Sequence, residues 1–541
     1  MKNNGLNNHP ATEDIAQQEE ALQQIVETEA HVEKQESQSS NRRIAKNAMM
    51  LYIRMFISMV VSLYTSRVVL ATLGVEDYGI YGVVGGIVSM LGFLNASMSG
   101  ATSRFLTFEL GRGDMKRLAQ TFSSALIVHI GIALVIFVLA ETIGLWFLTH
   151  KLVIPEGRMT AAHWVYQMSI FSAMLGITQA PYNATIIAHE KMDIYAYVEI
   201  LSVTLKLLIV YLLVIGNLDK LILYAALVLA VSVIIMMIYR IYCIRHFQES
   251  HFHWTWKPAI LKPLLSFSGW NLYGNLGGVF QQQGTSFVIN FFFGVIMNAA
   301  VSVGLTVANI VNQFASNVMT AFRPQIIKNY SAGDRIAMRS LTILALKVIM
   351  FIYSLVAIPV FVEVETILDL WLVEVPKYST TVCRLFLISI FFETIRYIII
   401  IDIHATGNVK YVSFAAGTVF ILVPIVSYLL FYLGFNVDAA IMVLILANIL
   451  LGALNIAFAK HYVKISVAPY FYTILLIVAV SAIALLVAVY VKKLMPSSII
   501  YSAINVAIAV LMVALAYGFI CFNREQRVSA LSYIRAKLHL R

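Results

Sequence analysis

From Asn47 onward the chain repeats one pattern, a run of about 20 mostly apolar residues followed by a short polar break. Fourteen runs begin near Asn47, Tyr78, Ala119, Ala161, Ile194, Leu221, Leu264, Ile296, Leu341, Thr380, Tyr411, Asp438, Tyr470 and Ser498. A bilayer core of ~30 Å is crossed by about 20 helical residues, so each run predicts a transmembrane helix. The expected fold class is therefore all-α integral membrane, with about 14 spans.

The polar breaks test that count. Lys and Arg beside alternate breaks number 24 on one side, Arg104, Arg112, Arg323 and Lys328 among them. The other side holds six: Lys151, Arg158, Lys220, Lys377, Lys492 and Lys493. Cytoplasmic loops carry the excess of Lys and Arg. A missed or invented span would flip every later loop, so the asymmetry predicts an even count with both termini cytoplasmic.

Composition agrees: 12% of the 541 residues are charged and 60% are hydrophobic, against about 25% charged in soluble domains. The ends differ from the rest. Residues 1–42 are polar and rich in Glu and Gln, with no basic segment leading into an apolar one. That excludes a signal peptide and predicts a disordered cytoplasmic tail, a short amphipathic helix being the alternative. After Phe522 the chain is basic, with Val528, Leu531, Ile534 and Leu538 near helical spacing. This predicts an amphipathic helix against anionic lipid on the inner surface. The three cysteines, Cys243, Cys383 and Cys521, have neither disulfide nor metal-site spacing and are expected to be packing residues.

An internal repeat sets the domain organisation. Leu73-Gly74-Val75 closes the first span and Phe293-Gly294-Val295 the seventh, 220 positions apart. Gly113-Asp114 and Gly333-Asp334 stand at the same offset of 220. Six spans separate the copies, so they keep one orientation. This predicts two parallel six-helix bundles, at 43–262 and 263–465, around a central cavity, a transporter pattern. Two additional spans follow at 466–522, and a basic tail at 523–541.

Several spans carry polar residues. Arg54, Ser58, Ser62 and Thr65 form one stripe on the first span, and Arg67 lies about 140° away from Arg54. Either arginine can snorkel to a membrane surface; Arg54 can instead serve a buried anion. Span seven has Ser268, Asn271, Asn275, Gln282 and Ser286 on one face. Span eight has Ser302, Thr306, Asn309, Gln313, Ser316 and Thr320. Such stripes can be interhelical hydrogen bonds, but their length favours a water-filled cavity lined by both spans. Glu393 and Arg396 are expected to pair within one helix, and Glu199 and Lys206 share a face. Glu199 and Glu393 are the candidates for a coupling ion, or only balance cations. Gly79, Gly82 and Gly85 recur every three residues and predict a close-packing surface.

The dipeptide Gly-Lys is absent, so no phosphate-binding loop for ATP is present, and His189-Glu190 lacks the second histidine of a zinc-protease motif. No outer loop could house a catalytic domain. The expectation is a non-enzyme with no metal and no cofactor.

The stretch YTSRVVLATLGVEDYGIYGVVGGIVSMLGFLNASMSGATSRFLTFELGRGD, Tyr64 to Asp114, resembles the polysaccharide transporter branch of the multidrug/oligosaccharidyl-lipid/polysaccharide exporter superfamily. These are bacterial O-antigen and capsule oligosaccharide flippases. The likeness in layout extends over residues 43–522. It implies a V-shaped fold with a central cavity in the bacterial inner membrane. It implies a polyprenyl-diphosphate-linked oligosaccharide as substrate, and other polysaccharide-assembly proteins as possible partners around a monomeric chain. Related flippases place cations of the first span in the cavity; Arg54 fits that role and Arg67 fits it less well. Asn271, Asn275, Gln282, Asn309 and Gln313 are the candidate sugar contacts. A cation-coupled multidrug exporter of the same superfamily is the alternative.

Overall fold

A computed structural model describes residues 44–528, except 63, 66–67, 70–71, 75–76, 78–79, 83, 86–87, 89–91, 151–153, 156, 214–218, 256, 373–374, 465 and 497. Among the described residues there is no strand. The helices are α1 (Ile44–Ser62), α2 (Gly92–Arg112), α3 (Met115–His150), α4 (Met159–Ala188), α5 (Met192–Leu212) and α6 (Lys220–His246). A single helical run, Pro258–Ser331, breaks at Gly294 into α7 (258–293) and α8 (295–331). Then come α9 (Arg335–Val362), α10 (Val364–Trp371), α11 (Ser379–Thr406), α12 (Lys410–Tyr432), α13 (Asp438–Val463), α14 (Ala468–Leu494) and α15 (Ile499–Cys521). The predicted spans fall on these helices, except that the second, from Tyr78, lies largely outside the described residues before Gly92; α10, with eight residues, is too short to cross. Among the described residues, eight helices are long and apolar enough to cross a membrane by length and composition alone.

The repeat seen in sequence is a repeat of backbone geometry. Gly74 and Gly294 both take positive φ, 83° and 77°, and so do Gly113 and Gly333, at 73° and 88°. A side chain would be strained at each of these positions. Asp114 and Asp334 then cap α3 and α9, accepting from the backbone N–H of Arg117 (3.0 Å) and Ala337 (2.8 Å). The glycine reverses the chain and the aspartate starts the next helix.

In the first bundle α4 packs against α2, α3 and α6, and α5 lies on α6. In the second, α12 and α11 pack on α7 and α8, and α11 also packs on α13. At one end of the first bundle Arg158 bridges Asp77 and Asp219, the latter at 2.5 Å. Burial pushes the Asp219 carboxyl up, but Arg158 and the N–H groups of Ile222 and Leu221 outweigh it and hold it below the usual range.

Helices α14 and α15 are fastened to α9 at three depths. Buried Glu363, just past α9, accepts from Lys492 (3.2 Å) and Asn505 (2.7 Å). Ser354 bonds Ser481 (3.3 Å) and Tyr517 (3.0 Å). Near the start of α9, Thr342 and Tyr470 both bond Asp402 of α11, at 2.7 and 2.6 Å. The additional spans are thus anchored by polar contacts, which in an apolar surround give helix pairs a fixed register.

Two expectations change. Among the described residues, Cβ atoms built at Gly82 and Gly85 meet nothing within 4 Å, so these glycines form no tight contact there; Gly85 borders a cavity inside the first bundle instead. Gly79 lies outside the described residues. Close packing falls elsewhere: a Cβ on Gly277 of α7 would sit 2.5 Å from the Gly417 Cα of α12. The three cysteines are free and buried, as expected. Both tails, 1–43 and 529–541, lie outside the described residues.

Candidate functional site: the cleft between the bundles

The ends of the helices beside the basic loops are here termed the basic face. Across the two bundles, contacts begin at this face. Arg104, near the end of α2, is 4% exposed and donates to the carbonyls of His404 (Nε, 3.0 Å) and Ala405 (Nη2, 2.6 Å). These are carbonyls of the last turn of α11, at its negative dipole end; that of His404 also accepts from the Gly407 N–H at 3.0 Å. The same guanidinium lies over the rings of Phe105 and Phe108. Gly407 ends α11 at φ 79°, and a Cβ there would meet Arg104 Nη2 at 2.9 Å. A second latch joins Glu190, 8% exposed and in the turn after α4, to Gln325 and Lys328 of α8 at 2.5 Å each. Gly111 of α2 lies so close to Ser331 that a Cβ would stand 1.9 Å from its hydroxyl.

Farther from the basic face, Ser268 of α7 lies 2.9 Å from Met98 Sδ, and Asn275 donates to Ser97 at 2.8 Å. On the α1 side, Tyr52 donates to the Phe314 carbonyl at 2.6 Å. Arg54 reaches Asn317 Oδ1 at 3.4 Å, and its guanidinium lies 5.0 Å from the Tyr195 ring centroid. Among the described residues no carboxylate stands within ion-pair distance of Arg54.

Among the described residues, these hydrogen bonds and ring contacts between the bundles reach as far as Asn275 on α7 and Phe314 on α8. The polar stripes then come to the surface. On α8, Ser302, Thr306, Asn309 and Gln313 are exposed, while Ala300, Gly304, Val307, Ala308 and Val311 on the other side are buried. On α7, Asn275, Gln282, Gln283 and Asn290 share an exposed polar sector. Beside it runs an exposed apolar sector of Leu276, Phe280, Phe287 and Phe291. One sector suits water and the adjacent one suits hydrocarbon, so α7 stands at the edge of the cleft. Among the described residues the bundles are joined at the basic face, and Arg54 lies at the far limit of that junction.

The expected site residues therefore divide. Gln282, Asn309 and Gln313 lie exposed beyond the junction, and Arg54 lies at its far limit. Asn271 is half-buried, and Asn275 spends its amide on Ser97, across the junction. Arg67 lies outside the described residues. Glu393 and Arg396 form no ion pair; Arg396 is buried against α13, where Nε donates to Asn448 Oδ1 at 3.2 Å. The three-residue spacing would allow the pair, but packing of α11 on α13 turns the guanidinium to Asn448 instead. Glu199 and Lys206 form no ion pair either; Lys206 borders a small cavity with Gln179, Ser202 and Ser232. A partly open cavity of about 420 Å³ lies inside the first bundle among α2, α3, α4 and α6, not between α7 and α8.

Sequence reasoning missed the two latches. Arg104 and Lys328 counted only as basic-loop cations, and Glu190 as half of an absent zinc motif. A near-terminal Arg followed by aromatic residues, in RFLTF, is a signal of burial that could have been used.

No family model matches the chain, and no curated protein sequence matches it. Solved structures do. The Vibrio cholerae MATE transporter VcmN in its bent form superposes with a TM-score of 0.63 at 16% identity, covering 79% of this chain and 98% of that one. A multidrug resistance MATE family transporter of the MOP superfamily, in an outward-facing conformation, gives 0.65 at 11% identity, over 79% and 96%. A MOP superfamily transporter from Pyrococcus furiosus, described as having a binding pocket of reversed polarity, gives 0.62 at 11% identity, over 79% and 96%. The chain has the fold of these transporters: an all-α membrane protein of two helical bundles, with additional helices at its C-terminal end.

Proposed function

We propose that the protein is a flippase. It moves polyprenyl-diphosphate-linked oligosaccharide repeat units across the bacterial cytoplasmic membrane for surface polysaccharide assembly. The basic face is cytoplasmic, and the bundles work by alternating access. The observation that carries this reading is Arg54, a cation with no carboxylate within ion-pair distance among the described residues, beside helices α7 and α8 whose amide and hydroxyl side chains are exposed. A diphosphate suits the cation. Sugar hydroxyls suit Gln282, Asn309 and Gln313, and a prenyl tail suits the apolar sector of α7 beside them. Asn271 and Asn275 would meet the sugars once the junction with α2 opens. Arg67 is a second cation of the same span to test.

No ATP is required. Each charge moved through 100 mV is worth about 2.3 kcal/mol, and a diphosphate diester carries about two negative charges. Outward movement against an inside-negative potential is downhill by on the order of 4–5 kcal/mol per 100 mV.

The test is flipping of such a glycolipid in proteoliposomes by wild type and Arg54→Ala. Wild-type flipping that collapses in the variant is expected. Flipping by neither, across a range of glycans and with an imposed potential, would refute the reading. The second reading, a cation-coupled drug exporter, draws on the likeness to a multidrug resistance transporter. It requires transport that depends on Glu199 or Glu393 and ignores Arg54.

A further inference from the structure

Asp402 is 0% exposed and sits in the last turns of α11, at the basic face. Its Oδ1 lies 2.7 Å from the Thr342 hydroxyl of α9 and its Oδ2 lies 2.6 Å from the Tyr470 hydroxyl of α14. No Lys or Arg among the described residues is within ion-pair distance. A buried carboxylate without a cation is costly unless it is well hydrogen-bonded or neutral.

The hydrogen bonds accommodate both states. Thr342 Oγ1 lies 2.7 Å from Asp402 Oδ1 and 3.1 Å from the Met338 carbonyl. A hydroxyl has one proton to donate, and a carbonyl can only accept. If Thr342 donates to Asp402, the carboxylate is ionised and satisfied. If Thr342 turns its proton to Met338, its oxygen can accept from a protonated Asp402. A rotation of one hydroxyl therefore matches the uptake of one proton.

The same turn of α11 carries the latch. Arg104 of the other bundle holds the carbonyls of His404 and Ala405, two and three residues beyond Asp402. The other titratable groups near Asp402 on the packed elements are few. From α9, Arg339 acts on Tyr470. On α11 itself, His404 is turned to Arg104, Arg323 and the Phe267 ring. At the end of α13, Lys460 and His461 are exposed.

We propose that Asp402, with Thr342 and Tyr470, is a proton-binding site in the second bundle whose occupancy shifts the last turn of α11 and, through it, the Arg104 latch. As the coupling proton of transport it rests on the flippase reading; as a proton site it does not.

The test uses the full chain in lipid, without substrate. Infrared difference spectra between acid and alkaline pH should show a protonated-carboxyl carbonyl band that is lost in Asp402→Asn. The same pH step should change the distance between spin labels on exposed Lys116 and Ser340, one per bundle, in wild type but not in the variant. If Asp402→Asn does not fold, Thr342→Val and Tyr470→Phe replace it, and each should move the midpoint of the band. A band retained in Asp402→Asn, a midpoint unmoved in both other variants, or labels indifferent to pH would overturn the proposal. A titrating band and moving labels in a protein that flips no glycolipid would leave the site standing and sink the flippase reading.

Discussion

Removing the Arg104 guanidinium should open the basic face. Arg104→Ala deletes two charge-assisted hydrogen bonds to His404 and Ala405. Each bond to a charged group is worth about 1.5–3 kcal/mol net. Water can enter the vacated space and partly replace the guanidinium at the carbonyls, so the lower end applies, about 3 kcal/mol for the pair. Both bonds run between the bundles, so the loss falls on the closed arrangement rather than on either bundle alone. At 1.36 kcal/mol per tenfold, the ratio of closed to open forms should drop by on the order of a hundredfold. Spin labels on Lys116 and Ser340 read this directly, because the three native cysteines are buried and free of competition for the label. The wild type should give one short distance, and the variant should add or convert to a longer one. Arg104→Lys should fall between, since an ammonium supplies the charge but not the fork that spans two carbonyls. A distance distribution unchanged in Arg104→Ala would refute the assignment of Arg104 as a latch.

Three further outcomes are expected. Gly417→Ala forces a Cβ to within 2.5 Å of the Tyr273 ring and should destabilise the second bundle by about 1–3 kcal/mol; Gly82→Ala, with nothing within 4 Å, should melt no lower than wild type. Asp219, whose carboxyl is held below the usual range, contributes stability that is fully present above the unfolded value of about 3.9 and is lost as pH falls below it. The melting difference between wild type and Asp219→Asn should therefore be flat from neutral pH to about pH 5 and shrink only in stronger acid; shrinkage nearer neutrality would contradict the Arg158 pairing. Cysteines at Gln282 or Asn309 should react with a membrane-impermeant thiol reagent in the folded protein, and reaction only after denaturation would remove the water-filled cleft.

The sequence alone determined the spans, their number and the repeat. Those features are local: twenty apolar residues must satisfy their own backbone hydrogen bonds in lipid, and they do so as a helix wherever they are placed. The repeat was legible because Gly74 and Gly294, and Gly113 and Gly333, occupy backbone conformations that strain any other residue. Polar faces on α7 and α8 followed from periodicity, which fixes the side of a helix a residue lies on but not its neighbour. Tertiary structure decided the neighbours. It separated Glu393 from Arg396 by burying the arginine against Asn448. It gave Asn275 to Ser97 while leaving Gln282 on the same stripe exposed. It turned Arg104 from one more loop cation into the contact that shuts the basic face, and left Asp402 between two hydroxyls without a cation. Each of these pairings joins residues at least 50 positions apart, and no local rule links such residues, because their meeting depends on how whole helices pack.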